Sequence, residues 1–375
     1  MSLFNLIRKK VETYKDVFFI DCFFETENKF KKIFIFGAGG RGQNVLQELK
    51  SRNIPVAGFI DSDATKKGTL IDGIEVFSMP DVKNINEPYF ILIASQWGRE
   101  ISIQLELAGI HNYRKYEYFE SIIIRTWAER HDFMKFLKDN EEKFQAVYNL
   151  LEDEDSKESW IKYLAYRITG NLNILGNVSF PQYLHPEVKP KSGDIIIDGG
   201  AFDGDTVKLF YKHISDELQI HSFEPANSNY KLLEQYVQQN KLENVFVNKY
   251  GLGNSEAVLY METDEEAREG YEIKAEGNEI VKIISIDEYK KRVGLEKVDV
   301  IKMDIEGFEL KALQGALNTI KAYKPKLQIC LYHNFSDLIE IPLFIHNQFK
   351  QLNYKYYVGI HWNIANDWEF LLYCK

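Results

Sequence analysis

Two short apolar runs, each opening at once onto a cluster of glycines, restrict this chain more than any other feature. The first is Lys32-Ile33-Phe34-Ile35-Phe36, followed by Gly37-Ala38-Gly39-Gly40-Arg41-Gly42. The second is Asp194-Ile195-Ile196-Ile197-Asp198, followed by Gly199-Gly200-Ala201-Phe202-Asp203-Gly204-Asp205. Runs this short are bounded by turn residues and rich in Ile and Phe. They predict strands buried on both faces of a parallel sheet. Parallel neighbours need crossovers, so helices must follow each turn.

The rest of the chain agrees. After an N-terminal helical stretch and the Lys32 strand, Val45, Leu46 and Leu49 mark one face of a helix. Strands are expected at Val56 to Asp61 and Tyr89 to Ala94, with a helix over Arg99 to Leu107. From about Ser121 to Ile168 the apolar spacing turns helical, and Pro181, Pro186 and Pro190 mark an irregular approach to the second domain. There, strands are expected at Asp194 to Asp198, Ile220 to Phe223, Val245 to Asn248, Ala257 to Met261, Val298 to Met303 and Lys326 to Leu331. Helices are expected at Asn229 to Gln239 and Leu310 to Ile320. The charged stretch Asp264 to Asn278 reads as a loop, and Tyr354 to His361 with Glu369 to Cys374 as a closing β-hairpin. At 375 residues the chain exceeds one ordinary core. The expected fold class is α/β: a small Rossmann-like domain over 1–120, a helical linker over 121–180 and a larger Rossmann-like domain over 181–375 that ends in the hairpin.

Composition bounds the partners. A net charge of −10 argues against broad binding to nucleic acid or anionic lipid. Cys22, Cys330 and Cys374 form no CxxC pair and read as reduced thiols. No secretory leader or membrane-spanning run stands out, which predicts a cytoplasmic protein. Oligomeric state is open.

The two glycine turns differ in their acids. Gly37, Gly39 and Gly42 fit G-x-G-x-x-G, with Asp61 closing the next strand about twenty residues on, the pattern of a dinucleotide site. Its readings are a structural Rossmann unit, a nucleotide-sugar or phosphate site using Arg41, or an NAD site. The second turn lacks that spacing and carries Asp198, Asp203 and Asp205, which would repel a pyrophosphate and suit a positively charged cofactor. Glu224, ending the next strand, is placed to accept hydrogen bonds from ribose hydroxyls.

With those residues go Gln182-Tyr183, the turn from Ile196 to Thr206, Phe223-Glu224-Pro225, and Asp287 in Ile284-Ser285-Ile286-Asp287. Then come Ile301-Lys302-Met303-Asp304-Ile305-Glu306-Gly307-Phe308-Glu309, Leu331-Tyr332-His333 and His361. In this order, residues 181 to 374 resemble the FkbM family of S-adenosylmethionine-dependent methyltransferases, with the class I Rossmann-like fold. Residues 32 to 95 are similar to the small N-terminal Rossmann-like domain of sugar O- and N-acyltransferases, sharing Phe59-Ile60-Asp61-Ser62-Asp63. The first resemblance implies methyl transfer to oxygen, commonly of a sugar or natural product. It places Asp198, Gly199, Gly200, Ala201, Asp203, Gly204 and Asp205 around S-adenosyl-L-methionine, with Glu224 on its ribose and Gly251 beside the adenine.

Asp304, Glu306 and Glu309 follow one strand, while His333 and His361 end later ones, all at the sheet edge where ligands of open α/β sheets bind. An alcohol acceptor must lose a proton, so His333 or His361 is the expected base, oriented by Asp304 or Glu306, and Asp304 also borders the cofactor. A divalent metal held by Asp304, Glu306 and a His is a further option. The competing functions are a nucleotide-sugar oxidoreductase using the first motif and a non-catalytic binding protein. The expected partner is a small-molecule or carbohydrate acceptor.

Overall fold

The computed structural model describes residues 2–13, 32–51, 55–85, 87–95, 98–110, 113–115, 132–169, 174–175, 180–263, 273–274, 276–362 and 368–375. Cys22 lies outside them, as does most of the expected loop at 264–278. The chain divides into two compact units, one of 1–139 with 164–174 and one of 140–163 with 175–375. Among the described residues no helix is long and apolar enough to cross a membrane.

The first unit is built on β1 (Lys32–Phe36), β2 (Gly58–Ile60), β3 (Leu70–Ile71), β4 (Ile74–Phe77), β5 (Tyr89–Ile93) and β6 (Tyr113–Lys115). They form a six-stranded sheet in the order β3-β4-β2-β1-β5-β6, in which only the β3–β4 pairing is antiparallel. The expected strands β1, β2 and β5 are present. The small β3–β4 hairpin, turned at Asp72 and Gly73 with positive φ, was not expected although Asp-Gly is a hairpin-turn pair. Val45, Leu46 and Leu49 face the core from helix Gly40–Ser51.

In the second unit, β7 (Ile195–Gly199), β8 (Gln219–Phe223) and β9 (Val245–Asn248) form one side of the main sheet. Three strands then leave that sheet: β10 (Gly251–Leu252), β11 (Ala257–Met261) and β12 (Ile273–Lys274). With β13 (Glu279–Ile284) they make a separate four-stranded sheet. The chain returns through β14 (Val300–Met303), β15 (Lys326–Cys330), β16 (Tyr356–Trp362) and β17 (Trp368–Cys374). The main order is β16-β17-β15-β14-β7-β8-β9, parallel except for the inserted β17. Both units are thus α/β with Rossmann-like parallel sheets, and the closing hairpin is present.

Two sequence expectations need correction. The helix expected over Leu310 to Ile320 is two, Glu309–Gln314 and Leu317–Tyr323. A Cβ at Gly315 would overlap the Gly253 carbonyl oxygen, and Asp287 N–H donates to the Gly315 carbonyl. The chain breaks there to admit that backbone contact. The loop expected at 264–278 is shorter, because Ile273 and Lys274 pair with Met261 and Tyr260, and the Asn278 side chain bridges to Thr263.

The helical segment before the second unit's sheet is packed onto it. Tyr163 stacks on Phe370 with ring centroids 4.1 Å apart, Trp160 lies beside Phe370, and Ser156 Oγ accepts from Val358 N–H. Buried aromatic pairs of this kind contribute about 0.5–1.5 kcal/mol beyond their area. Cys330 and Cys374 are buried free thiols.

Candidate functional site

The main sheet of the second unit reverses its strand order between β7 and β14, and the carboxyl ends of strands at such a reversal are where α/β sheets bind ligands. The glycine turn leaves β7 at this place. Gly200 has φ +71°, and a Cβ there would overlap the Asp304 carbonyl oxygen. Only glycine satisfies both demands. Gly204 has φ +93° and sits directly before helix Asp205–His213, whose first N–H groups point toward the turn. Gly199 faces Leu252, so the segment carrying Gly251 packs against the same turn.

Glu224, just past the end of β8, is buried. Its Oε2 accepts from Phe202 N–H at 3.0 Å and Oε1 from Ala226 N–H at 2.9 Å. Burial dominates over those two bonds and pushes its carboxyl up to about 7. Each oxygen retains a lone pair, so the carboxylate can still accept from a diol.

Asp198 does not face the cleft. It is 0% exposed, its Oδ2 accepts from Ser222 Oγ at 3.1 Å, and its Oδ1 lies 3.2 Å from Lys302 Nζ. Parallel register sets Lys302 of β14 directly opposite Asp198 of β7. The ammonium also donates to the carbonyls of Gly199 and Gly200, at 3.1 and 2.8 Å. Burial works against the lysine's charge but Asp198 and Asp304 outweigh it, so its pKa is raised. Asp203 is likewise paired, with Lys208 at 3.0 Å, while Asp205 is exposed. Asp198 supports the turn from below, engaged by Ser222 and Lys302. The acids of the turn are largely neutralised within the protein, so their charge alone selects no cation.

Past β14 the chain places a second polar constellation. Asp304 accepts from Tyr183 Oη at 3.0 Å and Tyr332 Oη at 2.8 Å. His333, just past β15, has Nε2 3.4 Å from Asp304 and 3.3 Å from Glu306, and Nδ1 3.0 Å from Glu309. Burial disfavours the imidazolium, yet Glu309, Asp304 and Glu306 outweigh it and raise the ring's pKa to about 10. Burial likewise opposes the Asp304 charge, but His333 and Lys302 prevail and its pKa is lowered. A ring already protonated at neutral pH cannot accept a proton, which removes His333 as a simple general base.

His361 ends β16 at the same edge, but its Nε2 is 2.8 Å from Tyr373 Oη and its ring packs against Phe180. It is 3% exposed, and burial lowers its pKa to about 4. It is neutral, but enclosed rather than open to an acceptor. Its hydroxyl partner also stands near the Tyr183 N–H, so the residue supports the segment that carries Tyr183.

Several participants were not singled out from the sequence. Lys302 had a signal, a lone charge inside the apolar strand Val300–Met303. Glu369 had another, an acid among the apolar residues of β17, and its carboxylate accepts from Gln182. Glu309 was noted only as a third nearby carboxylate; it is buried, caps Ile305 N–H at 2.8 Å and faces His333. Among the described residues, two donor sets have the dimensions to hold a cation, with ligand atoms within 4.8 Å of one another: Asp304, Glu309 and His333, and Asp304, Cys330 and Glu369.

In the first unit the glycine motif is also a tight strand-to-helix turn. Gly37 has φ +115°, and a Cβ on Gly42 would overlap the Gly37 carbonyl. By contrast, Cβ atoms on Gly39 or Gly40 would meet nothing within 4 Å. Asp61 is occupied: Oδ2 accepts from Ala38 N–H and Lys66 Nζ, each at 2.9 Å, and Oδ1 from Asp63 N–H. Arg41 is exposed on the helix. Asp61 Oδ2 is thus engaged twice, by a backbone N–H and by the Lys66 ammonium.

Residues 198–356 match the family model described as the methyltransferase FkbM domain, and residues 29–116 match that of the C2185-like N-terminal domain. The crystal structure of methyltransferase FkbM from Methylobacillus flagellatus KT superposes with a TM-score of 0.65 at 18% identity, covering 100% of this chain and 99% of that one, a likeness of fold. A hexuronic acid methyltransferase, AglP of Haloferax volcanii, is 33% identical over 75 residues, 20% of this chain and 31% of its own length. That alignment spans about a third of the curated relative. The chain carries an FkbM methyltransferase domain in its C-terminal half.

Proposed function

We propose that the second unit is an S-adenosylmethionine-dependent methyltransferase that modifies a hydroxyl of a sugar, a glycan precursor or a related natural product. The observation that carries this is the turn at the β7–β14 reversal, where glycine backbone, a helix N-terminus and the Glu224 carboxylate converge within a domain of this family. Bound S-adenosylmethionine would supply a methyl group on a sulfonium. Gly200, Gly204 and Asp205 would border its methionine part, Glu224 would accept from the ribose hydroxyls, and the segment around Gly251 would flank the adenine. Asp198 and Lys302 hold the turn in shape.

The acceptor site is proposed at Asp304, Glu306, Tyr332 and His333. Glu306 is the most exposed of the three carboxylates around His333, its side chain 37% open to solvent. It is the group we assign to take the hydroxyl proton as the oxygen–methyl bond forms and the carbon–sulfur bond breaks, its electrons passing to sulfur. A carboxylate suffices because the hydroxyl becomes strongly acidic as it is alkylated. The positive charge on His333 holds an electron-rich acceptor oxygen in place. Positioning of acceptor, methyl and sulfur in line supplies much of the acceleration.

The AglP likeness supports a carbohydrate, and a uronic acid is the first acceptor to try. The test is incubation with S-adenosylmethionine carrying a labelled methyl group and a panel of sugars, uronic acids and their nucleotide-linked forms. Label in an alkali-stable ether supports the reading. Label only in an alkali-labile ester would move the reaction to a carboxyl group, and no transfer with no cofactor binding would end it. For the first unit we propose a structural role, since Asp61 is already engaged; a melting-temperature rise with NAD or a nucleotide-sugar would reverse that.

A further inference from the structure

We propose that Asp304, Glu309 and His333 bind one divalent cation of the Mn2+ class at the carboxyl ends of β14 and β15. Each offers a ligand atom, and the three atoms lie within 4.8 Å of one another, a spacing that a small contraction brings to that of ligands around a single ion. An acidic cluster alone would not justify this. The independent observation is Glu309: its side chain is 0% exposed, and while Oε1 accepts from Ile305 N–H, Oε2 has no hydrogen-bond partner. A fully buried carboxylate oxygen left without a donor is costly, and such atoms call for an explanation such as an ion.

His333 points the same way. Three carboxylates stand 3.0–3.4 Å from its nitrogens, yet neither nitrogen makes an aligned hydrogen bond. Three carboxylates around one ring form a pocket that suits a divalent ion, to which the ring would bind through a nitrogen in its neutral form. Asp304 is already held by the hydroxyls of Tyr183 and Tyr332, which fix its orientation as the partners of metal-binding carboxylates do.

Carboxylate oxygens with one imidazole nitrogen suit Mn2+ and its neighbours better than Mg2+ or Ca2+, which prefer oxygen throughout. Glu306 stands beside the open side, 3.3 Å from His333, as a fourth ligand or a partner for bound water. The alternative set through Cys330 and Glu369 is less suited, since the thiol is buried against Tyr183 Oη at 3.7 Å and Glu369 is taken by Gln182. The Asp304 backbone packs on Gly200, so an ion here sits beside the proposed cofactor turn, where it would polarise an acceptor hydroxyl.

The full chain, stripped with chelator, should be titrated with Mn2+ while electron paramagnetic resonance reads the free ion. The expected result is one Mn2+ bound per chain, weakened at least tenfold in His333→Gln and in Glu309→Gln and severalfold in Glu306→Gln. Circular dichroism separates loss of a ligand from loss of fold; should Glu309→Gln fail to fold, His333→Gln and Glu306→Gln decide. No loss of free signal at millimolar Mn2+, or equal binding by the folded variants, overturns the site, and displacement by equimolar Mg2+ overturns its nitrogen-ligated character. The melting temperature of the same stripped protein with S-adenosylmethionine keeps the two readings apart. A shift without Mn2+ binding removes only the metal, whereas Mn2+ binding without a shift removes only the cofactor.

Discussion

The two glycine turns of this molecule are built alike and end differently. Each follows a buried parallel strand, enters a helix and stands beside an acid at the end of the neighbouring strand. At the first, Asp61 is half-buried and already paired with Lys66, and its pKa is lowered: burial works against the charge, but the hydrogen bonds from Asp63, Lys66 and Ala38 prevail. At the second, Glu224 has only backbone N–H partners and its pKa rises, while a buried lysine holds the turn from beneath. Matching motif grammar therefore does not imply matching availability. A ligand-binding turn needs an acid whose hydrogen-bonding capacity the protein has not used up.

The largest test of that contrast removes the lysine at each turn. Lys302→Met strands Asp198 in the core and should cost about 3–5 kcal/mol in chemical denaturation. Lys66→Met, at a partly exposed pair, should cost no more than about 1 kcal/mol. Equal losses would mean that the two turns are held in the same way.

Glycine substitution is next. Gly200→Ala combines a left-handed backbone with overlap of the Asp304 carbonyl and should cost about 2–4 kcal/mol, together with measurable cofactor binding. Gly40→Ala meets no neighbour within a helix and should be stabilising by about 0.5–1 kcal/mol. Thermal unfolding of both variants, with calorimetry for the ligand, reads the difference.

Ligands should separate the turns as well. S-adenosylmethionine at a hundred times its Kd should stabilise the protein by about 2.7 kcal/mol, seen as a rise in melting temperature, whereas NAD should give none. A rise with NAD alone would transfer the chemistry to the first unit.

The smallest effect is on pH. Glu224 has its folded pKa raised to about 7, above the ordinary carboxylate value, so the folded protein favours its protonated form. Its ionisation therefore costs stability as pH climbs from the ordinary value to 7, and the ribose-accepting carboxylate is lost as pH falls below 7. Cofactor affinity should drop about tenfold from pH 8 to pH 6, following the ionised fraction. Glu224→Gln should flatten that profile; an unchanged slope in the variant would assign it to another group.

Much of the fold was legible because burial on both faces writes itself into short apolar runs. Strands β1, β5, β7, β8, β14 and β15 and both glycine turns followed from that pattern. The small hairpin at Leu70 to Phe77 was passed over although Asp72-Gly73 signals its turn, because its strands are only two and four residues long and Leu70 and Glu75 are exposed. The break at Gly315 was missed for another reason: the contact that forces it comes from Gly253, sixty residues away in sequence. In the site, Glu224 and the Asp304–Glu306–His333 grouping were readable from strand ends. The state of His333 was not, because its charge depends on three acids converging upon it.

The sequence by itself determined the strand-and-turn order, the edge of the sheet at which polar residues gather, and the family to which the second half is alike. Local patterning suffices for these, since each depends on residues near one another along the chain. Only the tertiary structure decided which of those polar groups remain available. Register across β7 and β14 turned Asp198 and Lys302 into a buried pair. A lysine five residues beyond Asp61 engaged the acid of the first motif, and the acids of one stretch past β14 met His333 from past β15. Proximity in space sets solvation and charge pairing, and those in turn set what a side chain can still bind.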